Sequence, residues 1–329
     1  MAAMTDQTLP PLQFLPLIKP LPWGGRKLET LFAKTLPADL PCGESWEVVD
    51  LPGEQSVVAA GPWQGRRLAE LIELRRQELL GEAELLLGRF PLLFKLIDAA
   101  QTLSVQVHPD AEAARRLGGE ARPKTEAWYI LQVEPGAHLY VGLEEGVSLD
   151  DLRRGLADGR VEPLLRRVPV QAGDFIYLPA GTLHAIGAGI VLAEIQQASD
   201  TTYRVFDWNR VGLDGRPRQL HVEQALASIR PELAGRPGHA APASGRPGIR
   251  CRFFTFERVR LDAGGQVPLD AGRPRITCCL EGSAQVSCGR DQPLRLSRGD
   301  SCLVPACRSE SLQSPDGATL LLVRVGDSG

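Results

Sequence analysis

The stretch VQAGDFIYLPAGTLHAI, residues 170–186, has a Gly-Asp turn, a run of β-forming residues that ends in Pro-Ala, and a second run that begins at His184. The same order recurs in LSRGDSCLVPACRSESL, residues 296–312, with proline again six residues after the turn glycine. Repeated turns and short strands of this kind are typical of the antiparallel double-sheet jelly roll. The repeat predicts two jelly rolls in one chain, and chance similarity between glycine-rich hairpins is the alternative.

The remaining pattern is also mainly β. Short runs such as LSVQVH, EAWYILQV and GIVLAEIQQ are rich in Val, Ile and aromatic residues and are bounded by turn formers, which predicts strands. Helical spacing of apolar residues predicts helices over residues 65–88, 110–119 and 148–159. Ser148 would cap the last of these helices. The helices do not alternate with strands, so the predicted class is mainly β, with two cupin-like jelly-roll domains and a few short helices.

A linker separates the two predicted domains. The stretch PELAGRPGHAAPASGRPGI, residues 231–249, is dense in Pro, Gly, Ala and Ser and lacks hydrophobic periodicity. A length of 329 residues is also consistent with about two domains. We therefore predict an N-terminal domain over residues 1–245, with the helical elements and the candidate metal site. A degenerate jelly roll over residues 246–329 would follow it.

Composition excludes several classes of function. The formal net charge is −3, without the basic excess that nucleic-acid binding needs. Prolines interrupt the apolar N-terminal segment, and no run is long enough to span a membrane, so we expect neither a signal peptide nor a membrane anchor. Seven cysteines without C-x-x-C spacing indicate reduced thiols and a cytoplasmic location. Phosphate-loop, dinucleotide-loop and serine-nucleophile motifs are absent from the sequence.

Polar residues occupy one face of the predicted strand LSVQVH. Side chains alternate along a strand, so Ser104, Gln106 and His108 point to the same side. Three polar residues on the inner face of a jelly roll would need binding partners, because burying unpaired polar groups is costly. A polar outer face on an edge strand is the alternative.

The strand PKTEAWYIL carries a second polar cluster. Alternation groups Lys124 and Glu126 with Trp128, which is unusual for a core strand, and a surface ion pair at the strand's beginning is the alternative. His184 begins a strand after a tight turn. Two histidines, a carboxylate and the Gln106 amide, from separate strands of one jelly roll, match a cupin metal site in residue type and order.

The types of donor atom limit which metal ions could bind at this site. Zn²⁺ accepts neutral imidazole and carboxylate oxygen, and a catalytic site keeps a position open for water or substrate. The same donors also suit Fe, Mn, Co and Ni. The second jelly roll contains no histidine, so a histidine site belongs to the first. We expect His138, His221 and His239 not to be ligands.

A further charged residue lies in TYRVFDW, residues 202–208. Alternation there places Arg204 on the same face as Thr202 and Phe206. The guanidinium is either a surface group stacked on Tyr203 or an anion clamp, for which its permanent charge and rigid fork are suited.

Several separate motifs occur in an order that resembles the type I phosphomannose isomerase family, specifically its short bacterial form. They are WGGRKL at 23–28, CGESWEV at 42–48, FPLLFKLIDAAQTLSVQVHPD at 90–110, KTEAWYIL at 124–131 and AGDFIYLPAGTLHAIGAGIVLAEIQQASDTTYRVFDWNR at 172–210. The resemblance covers residues 23 to about 230 and is weak beyond the linker.

The resemblance implies an activity and a set of site residues. It implies interconversion of mannose 6-phosphate and fructose 6-phosphate through a cis-enediol, with one zinc ion per chain and a small sugar phosphate as the partner. It assigns catalytic roles to Arg204 and Lys124, the proton-transfer base being Lys124, Glu126 or metal-bound water. The implied metal ligands are Gln106, His108, Glu126 and His184, and the implied sugar-phosphate contacts are Lys95, Ser104 and Arg210.

Two other functions are compatible with the residues. One is a metal-dependent cupin that acts on unphosphorylated sugars, or an iron-dependent oxygenase. The other is a sugar-binding cupin without enzymatic activity, although a binding module has no need of a proton-transfer group. The sequence does not specify an oligomeric state.

Overall fold

The computed structural model describes residues 8–233, 248–288 and 291–326. The domain boundary predicted after residue 245, and His239, lie outside these residues. Within them, no helix is both long and apolar enough to cross a membrane. The helices are α1 Lys27–Phe32, α2 Leu68–Leu80, α3 Ala111–Leu117, α4 Leu149–Asp158 and α5 Val222–Leu226, and short 3₁₀ turns occur at Glu162–Leu164 and Pro231–Leu233.

The first part of the chain folds as two facing antiparallel sheets. Its strands are β1 Phe14–Leu15, β2 Leu17–Gly25, β3 Cys42–Val48, β4 Asp50–Leu51, β5 Glu54–Gln55, β6 Val57–Val58, β7 Leu92–Ala99, β8 Val105–Val107, β9 Glu126–Val133, β10 His138–Leu143, β11 Leu165–Pro169, β12 Phe175–Leu178, β13 His184–Ile186, β14 Ile190–Gln197 and β15 Tyr203–Phe206. One sheet has the order β12-β9-β14-β7-β2-β3, and the other has the order β11-β10-β13-β8-β15. Their inner faces meet in one apolar cluster, where Trp128 and Leu192 of the first sheet pack with Leu139 and Ile186 of the second. This double-sheet arrangement confirms the predicted jelly roll.

The last part of the chain forms a second sheet system. Its strands are β16 Gly248–Arg250, β17 Phe254–Leu261, β18 Gly265–Leu269, β19 Arg275–Cys288, β20 Asp291–Ser297, β21 Ser301–Val304, β22 Glu310–Ser314 and β23 Ala318–Val325. Their order is β16-β17-β23-β19-β22-β18, and β20 and β21 pair with the long β19. The chain is mainly β with few helices, as predicted.

The sequence repeat corresponds to a structural repeat. Gly173 and Gly299 have positive φ angles of 97° and 89°, which explains why glycine stands at both turns. The amide of Gly173 donates to the Ile130 carbonyl at 2.8 Å, and the amide of Gly299 donates to the Cys279 carbonyl at 2.8 Å. In each copy the turn leads into equivalent strands, β12 and β13 in the first and β21 and β22 in the second.

The predicted helix over residues 65–88 is too long. Helix α2 ends at Leu80, because Gly81 has a positive φ and a Cβ there would lie 2.3 Å from the Gly272 carbonyl oxygen. The backbone amides of Ala306 and Cys307 then donate hydrogen bonds to the carbonyl oxygens of Leu79 and Glu78 in the last helical turn. The second jelly roll therefore ends this helix, which the local leucine pattern could not show. The other two predicted helices are present, and Ser148 caps α4 in a capping box.

The second jelly roll covers the outer face of the β9-β14-β7 sheet. Phe175 contacts Phe256 edge-on at 5.3 Å between ring centroids, within an apolar cluster that both parts share. At the same boundary, Lys34 donates to Glu47 at 2.8 Å and to the carbonyl of Gly299 at 2.7 Å, and both charged side chains are buried. The sheet that carries part of the polar cluster is thus covered on both faces.

Candidate active site

Three strands of the first jelly roll bring His108, Glu126 and His184 together. His108 directly follows β8, Glu126 begins β9 and His184 begins β13. Their ligand atoms lie within 4.8 Å of one another, and each residue is at most 2% exposed. The strand register explains the meeting, since His184 pairs directly with Gln106 on the neighbouring strand β8.

Backbone carbonyls fix the tautomer of both imidazoles. Nδ1 of His108 lies 2.9 Å from the Thr201 carbonyl oxygen, and Nδ1 of His184 lies 2.9 Å from the Thr182 carbonyl oxygen. A carbonyl only accepts hydrogen bonds, so each Nδ1 must carry the proton when the ring is neutral. Both Nε2 atoms then present lone pairs. This backbone support is typical of histidines that bind metals.

The carboxylate of Glu126 faces those lone pairs. Oε2 lies 3.1 Å from His108 Nε2, and Oε1 lies 3.1 Å from His184 Nε2. Both oxygens are buried, and among the described residues their only cationic contact is the Lys124 ammonium, which lies 3.0 Å from Oε2. Lone pairs at this separation repel unless a cation lies between them. The donor set therefore fits a divalent metal ion.

The pKa values of Glu126 and His108 are shifted far from their usual ranges. Burial alone would raise the pKa of the Glu126 carboxyl, but Lys124 and the two histidines hold that pKa well below its usual range. Burial, with a contribution from Lys124, lowers the pKa of His108 to about 4. The cluster therefore combines a carboxylate with a neutral imidazole, which are the protonation states that bind metal.

Gln106 and Lys124 connect the buried cluster to a cavity. The side-chain nitrogen of Gln106 lies 3.3 Å from His184 Nε2. Nζ of Lys124 lies 3.0 Å from Glu126 Oε2 and 3.2 Å from His108 Nε2. Both Gln106 and Lys124 also line a cavity of about 490 Å³, so His108, Glu126 and His184 lie directly behind its wall.

The cavity is lined mainly by polar and charged side chains from both sheets and from the segment after β15. Apolar residues form only part of its wall, and its size suits a small molecule. The lining residues are Lys19, Pro20, Leu21, Trp23, Glu44, Trp46, Glu54, Leu93, Lys95, Ile97, Leu103, Ser104, Gln106, Lys124, Ile186, Glu194, Gln196, Asp200, Thr202, Arg204, Arg218 and His221.

Lys95 is held by two carboxylates in the cavity wall. Its Nζ lies 2.9 Å from Glu194 Oε1 and 3.4 Å from Glu44 Oε2. Glu194 also accepts from Trp128 Nε1 at 2.8 Å, and burial, followed by the charge of Glu126, raises the pKa of its carboxyl. Sequence analysis missed both carboxylates. Alternation along IVLAEIQQ, which places Glu194 on an otherwise apolar strand, is the signal that could have found Glu194.

Arg204 points into the cavity as an unneutralised cation. Its Nε donates to Ser104 Oγ at 3.2 Å, and Nη1 donates to the Gln219 carbonyl at 3.0 Å. Among the described residues, no carboxylate lies within ion-pair distance of it. Burial and the neighbouring Arg218 lower the pKa of the guanidinium. An arginine in the cavity wall without a paired carboxylate is suited to an anion.

The face predicted for TYRVFDW is only partly correct. Thr202 and Arg204 line the cavity, but Phe206 packs into the core behind β15. A shift in the pairing with β8 between Arg204 and Phe206 breaks the simple alternation.

Arg210 is placed apart from the cavity. Its Nη1 donates to the Thr102 carbonyl at 2.9 Å and its Nη2 to Asp207 at 2.7 Å. It is not among the lining residues, whereas Arg218, bound to the same Asp207, is. The other predicted contact residues, Lys95 and Ser104, both line the cavity.

Two of the three histidines expected not to bind metal, His138 and His221, lie apart from the cluster of His108, Glu126 and His184. His138 opens β10, where its Nδ1 lies 3.1 Å from the Gly136 carbonyl oxygen. His221 precedes α5, as predicted, and lines the cavity at a distance from the ligand cluster.

Comparison with known proteins gives consistent matches. Residues 13–129 match the family profile "Phosphomannose isomerase type I, catalytic domain". A mannose-6-phosphate isomerase of Streptococcus mutans is 38% identical over 86% of this chain and 88% of its own length. The mannose-6-phosphate isomerase ManA of Bacillus subtilis is 42% identical over 91% of this chain and 94% of its own length.

Solved structures match over both jelly rolls. A crystal structure of the mannose 6-phosphate isomerase from Bacillus subtilis has a TM-score of 0.79 at 32% identity, covering 96% of this chain and 100% of that chain. A mannose 6-phosphate isomerase bound with zinc and yttrium has a TM-score of 0.75, covering 97% of this chain and 100% of that chain. At 20% identity, this second likeness shows the fold alone.

Proposed function

The chain belongs to the type I phosphomannose isomerase family, and from that premise we propose that it interconverts mannose 6-phosphate and fructose 6-phosphate in the cavity beside His108, Glu126 and His184. The observation that carries the proposal is the convergence of two imidazole lone pairs and a buried carboxylate directly behind a cation-lined cavity. The isomerisation moves a proton between neighbouring carbons through a cis-enediol.

We propose one divalent ion, zinc, as the cofactor. Nε2 of His108, Nε2 of His184 and the Glu126 carboxylate would hold it, and the Gln106 amide is the fourth donor once its oxygen faces the site. The ion would stabilise the negative charge that develops on the substrate oxygens.

Lys124 is the group best placed to move the proton. Its ammonium lies at the boundary between the ligand cluster and the cavity, 3.0 Å from Glu126. The Glu126 carboxylate lies between the two histidines and is needed as a ligand, which makes it the weaker candidate for the base. General acid–base catalysis requires a group within hydrogen-bond reach of the substrate, and Lys124 would supply that group because it lines the cavity.

The cavity has one region around Lys95 and another around Arg204, and the two regions differ in charge balance. Lys95 is neutralised by Glu194 and Glu44, so we propose that it orients sugar hydroxyls rather than binding phosphate. Arg204 keeps an unneutralised charge, with Ser104 and Arg218 beside it. The phosphate would bind at this end, and Arg204 would hold the substrate in register with Lys124.

The test is a coupled assay for fructose 6-phosphate formation, combined with elemental analysis of the same preparation. We expect turnover of mannose 6-phosphate, about one zinc per chain, loss of turnover on chelation and recovery when zinc is returned. Full turnover by metal-free protein would contradict the metal assignment. Faster turnover of mannose than of its phosphate would favour an isomerase of unphosphorylated sugars. Binding without turnover would favour a sugar-binding cupin.

We also propose a cytoplasmic location. Cys42, Cys278 and Cys279 are buried thiols that are not joined in disulfides. Reduced thiols of this kind are typical of a reducing compartment.

A further inference from the structure

A second polar groove lies at the junction of the two jelly rolls. It has a volume of about 310 Å³ and shares no lining residue with the cavity beside the metal ligands. Both jelly rolls contribute to it. The lining residues are Leu31, Phe32, Tyr129, Ile130, Leu131, Gln132, Ala172, Gly173, Arg258, Arg260, Leu280, Glu281, Arg298 and Thr319.

The groove forms where the apolar boundary between the jelly rolls becomes cationic. Phe254 and Phe256 on β17 pack into the shared apolar cluster. Side chains alternate along a strand, so the same face continues to Arg258 and Arg260. One face of β17 is therefore aromatic along half of its length and carries two arginines along the other half. Packing between the jelly rolls explains the aromatic half but not the arginines.

The third cation comes from the turn before β21. The guanidinium of Arg298 lies 5.7 Å from the ring centroid of Phe32, which belongs to α1. Nη1 of Arg258 lies 3.5 Å from the Tyr129 hydroxyl oxygen of β9. The arginines therefore approach the groove from one strand, β17, and from one turn, and Arg258 and Arg298 contact aromatic side chains of the first jelly roll.

Among the described residues, the groove has more positive than negative charge. Glu281 is the one carboxylate among the described lining residues, and it accepts from Thr319 Oγ1 at 3.0 Å. Arg258, Arg260 and Arg298 have no carboxylate within ion-pair distance among the described residues. Three guanidiniums and one carboxylate leave an excess of two positive charges in the groove.

We propose that this groove is a second binding site, separate from the isomerase cavity, for a small phosphorylated metabolite with at least two negative charges. Guanidinium forks bind phosphoryl oxygens in bidentate geometry, and several of them can share one polyanion. Leu31, which is partly exposed in the groove, provides an apolar surface against which the carbon part of the ligand would pack. Gly173 leaves the space in front of Arg258 free of a side chain.

The binding test uses fructose 1,6-bisphosphate as the probe and full-length, zinc-loaded protein. Arg204→Ala is the background, because it weakens phosphate binding in the isomerase cavity. In calorimetric titrations we expect the probe to bind to this background. Adding Arg258→Gln and Arg298→Gln removes two charge-assisted contacts, so the affinity should fall at least about tenfold. The probe should also raise the thermal unfolding temperature, since it binds both jelly rolls.

Matched controls separate this site from general charge effects. Arg166→Gln with Arg295→Gln removes the same charge from two exposed strand positions outside the groove, and we expect probe affinity to be unchanged. In the otherwise natural chain, Arg258→Gln with Arg298→Gln should keep normal isomerase turnover, which shows that the protein is folded.

Three results would overturn the inference. The first is the absence of binding to the Arg204→Ala protein at millimolar probe. The second is equal binding with and without the groove arginines. The third is equal or tighter binding of tricarballylate, a tricarboxylate, which would refute phosphoryl recognition. The inference does not rest on the isomerase activity, because it is measured by binding alone.

Discussion

His184 and Glu310 occupy the same position in two copies of one strand. Each is the first residue of the strand that follows the Gly-Asp turn and the Pro-Ala strand end, in β13 and β22 respectively. His184 faces the Glu126 carboxylate at 3.1 Å, whereas Glu310 accepts from Ser287 Oγ at 2.6 Å. The two copies therefore share a backbone arrangement, and only the first has a residue at this position that belongs to the candidate metal cluster.

This relationship predicts opposite outcomes for two matched substitutions. His184→Ala should remove bound zinc, and with it several kcal/mol of transition-state stabilisation, which is about 10³-fold or more in kcat. Glu310→Gln should keep zinc and turnover and cost about 1–2 kcal/mol of stability through the weakened Ser287 contact. Elemental analysis, the coupled assay and thermal unfolding measure the three quantities. Zinc retained by the His184→Ala protein would refute the ligand assignment.

Lys124→Met should separate chemistry from metal binding. We expect kcat to fall by about 10²–10⁴-fold, the range for loss of a general acid or base, while zinc content stays at the natural level. Lys27→Met, which removes a lysine of an exposed ion pair with Glu134, is the control and should change neither quantity. If kcat were unchanged in the Lys124→Met protein, a group other than Lys124 would have to transfer the proton.

Arg204 and Arg210 should respond differently to substitution. Arg204→Gln removes the unneutralised guanidinium from the cavity wall, and kcat/KM for mannose 6-phosphate should fall by about 10–100-fold. Arg210→Gln instead breaks contacts with Asp207 and the Thr102 carbonyl, so it should lower thermal stability with a smaller effect on kcat/KM. Steady-state kinetics and unfolding curves test both variants. A larger kinetic loss in the Arg210 variant would reverse the proposed assignment of the phosphate end.

The buried ion pair at the domain boundary should be sensitive to the loss of one partner. Glu47→Ala leaves the Lys34 ammonium buried without its carboxylate, and we expect a loss of about 3–5 kcal/mol in the free energy of unfolding. Lys34→Met combined with Glu47→Leu removes both charges and should be less destabilising than Glu47→Ala alone. Denaturant titrations of the natural protein and the two variants measure the difference, and a double variant that is as unstable as Glu47→Ala would contradict this account.

Two neighbouring thiols should be unreactive in the native protein. Burial raises the pKa of Cys278 to about 12 and the pKa of Cys279 to about 11, so both remain protonated at neutral pH. Thiolate is the reactive form, and neither sulfur is exposed. Iodoacetamide at pH 8 should therefore modify both only after denaturation, as followed by peptide mass spectrometry. Modification in the native state at the rate of exposed Cys307 would contradict their burial.

Local patterns in the sequence were sufficient for much of the fold and part of the site. Alternation in LSVQVH correctly placed Ser104, Gln106 and His108 on one side of β8, since strand geometry is a local property. Alternation failed at Phe206, because an irregularity in the pairing of β15 with β8 changes the face of that residue. The leucine spacing failed at the end of α2, because Gly81 contacts the backbone of Gly272, far along the chain.

The sequence by itself determined the repeated jelly rolls, the strand faces and the residue types able to hold a divalent ion, because these depend on periods of two residues and on turn chemistry. Only the tertiary structure decided which charges meet. Lys95 reaches Glu194 and Glu44, Arg218 rather than Arg210 lines the cavity, and three arginines gather at the domain junction. Such pairs join residues far apart in the chain, and their distances depend on strand register and sheet packing, which no local pattern encodes.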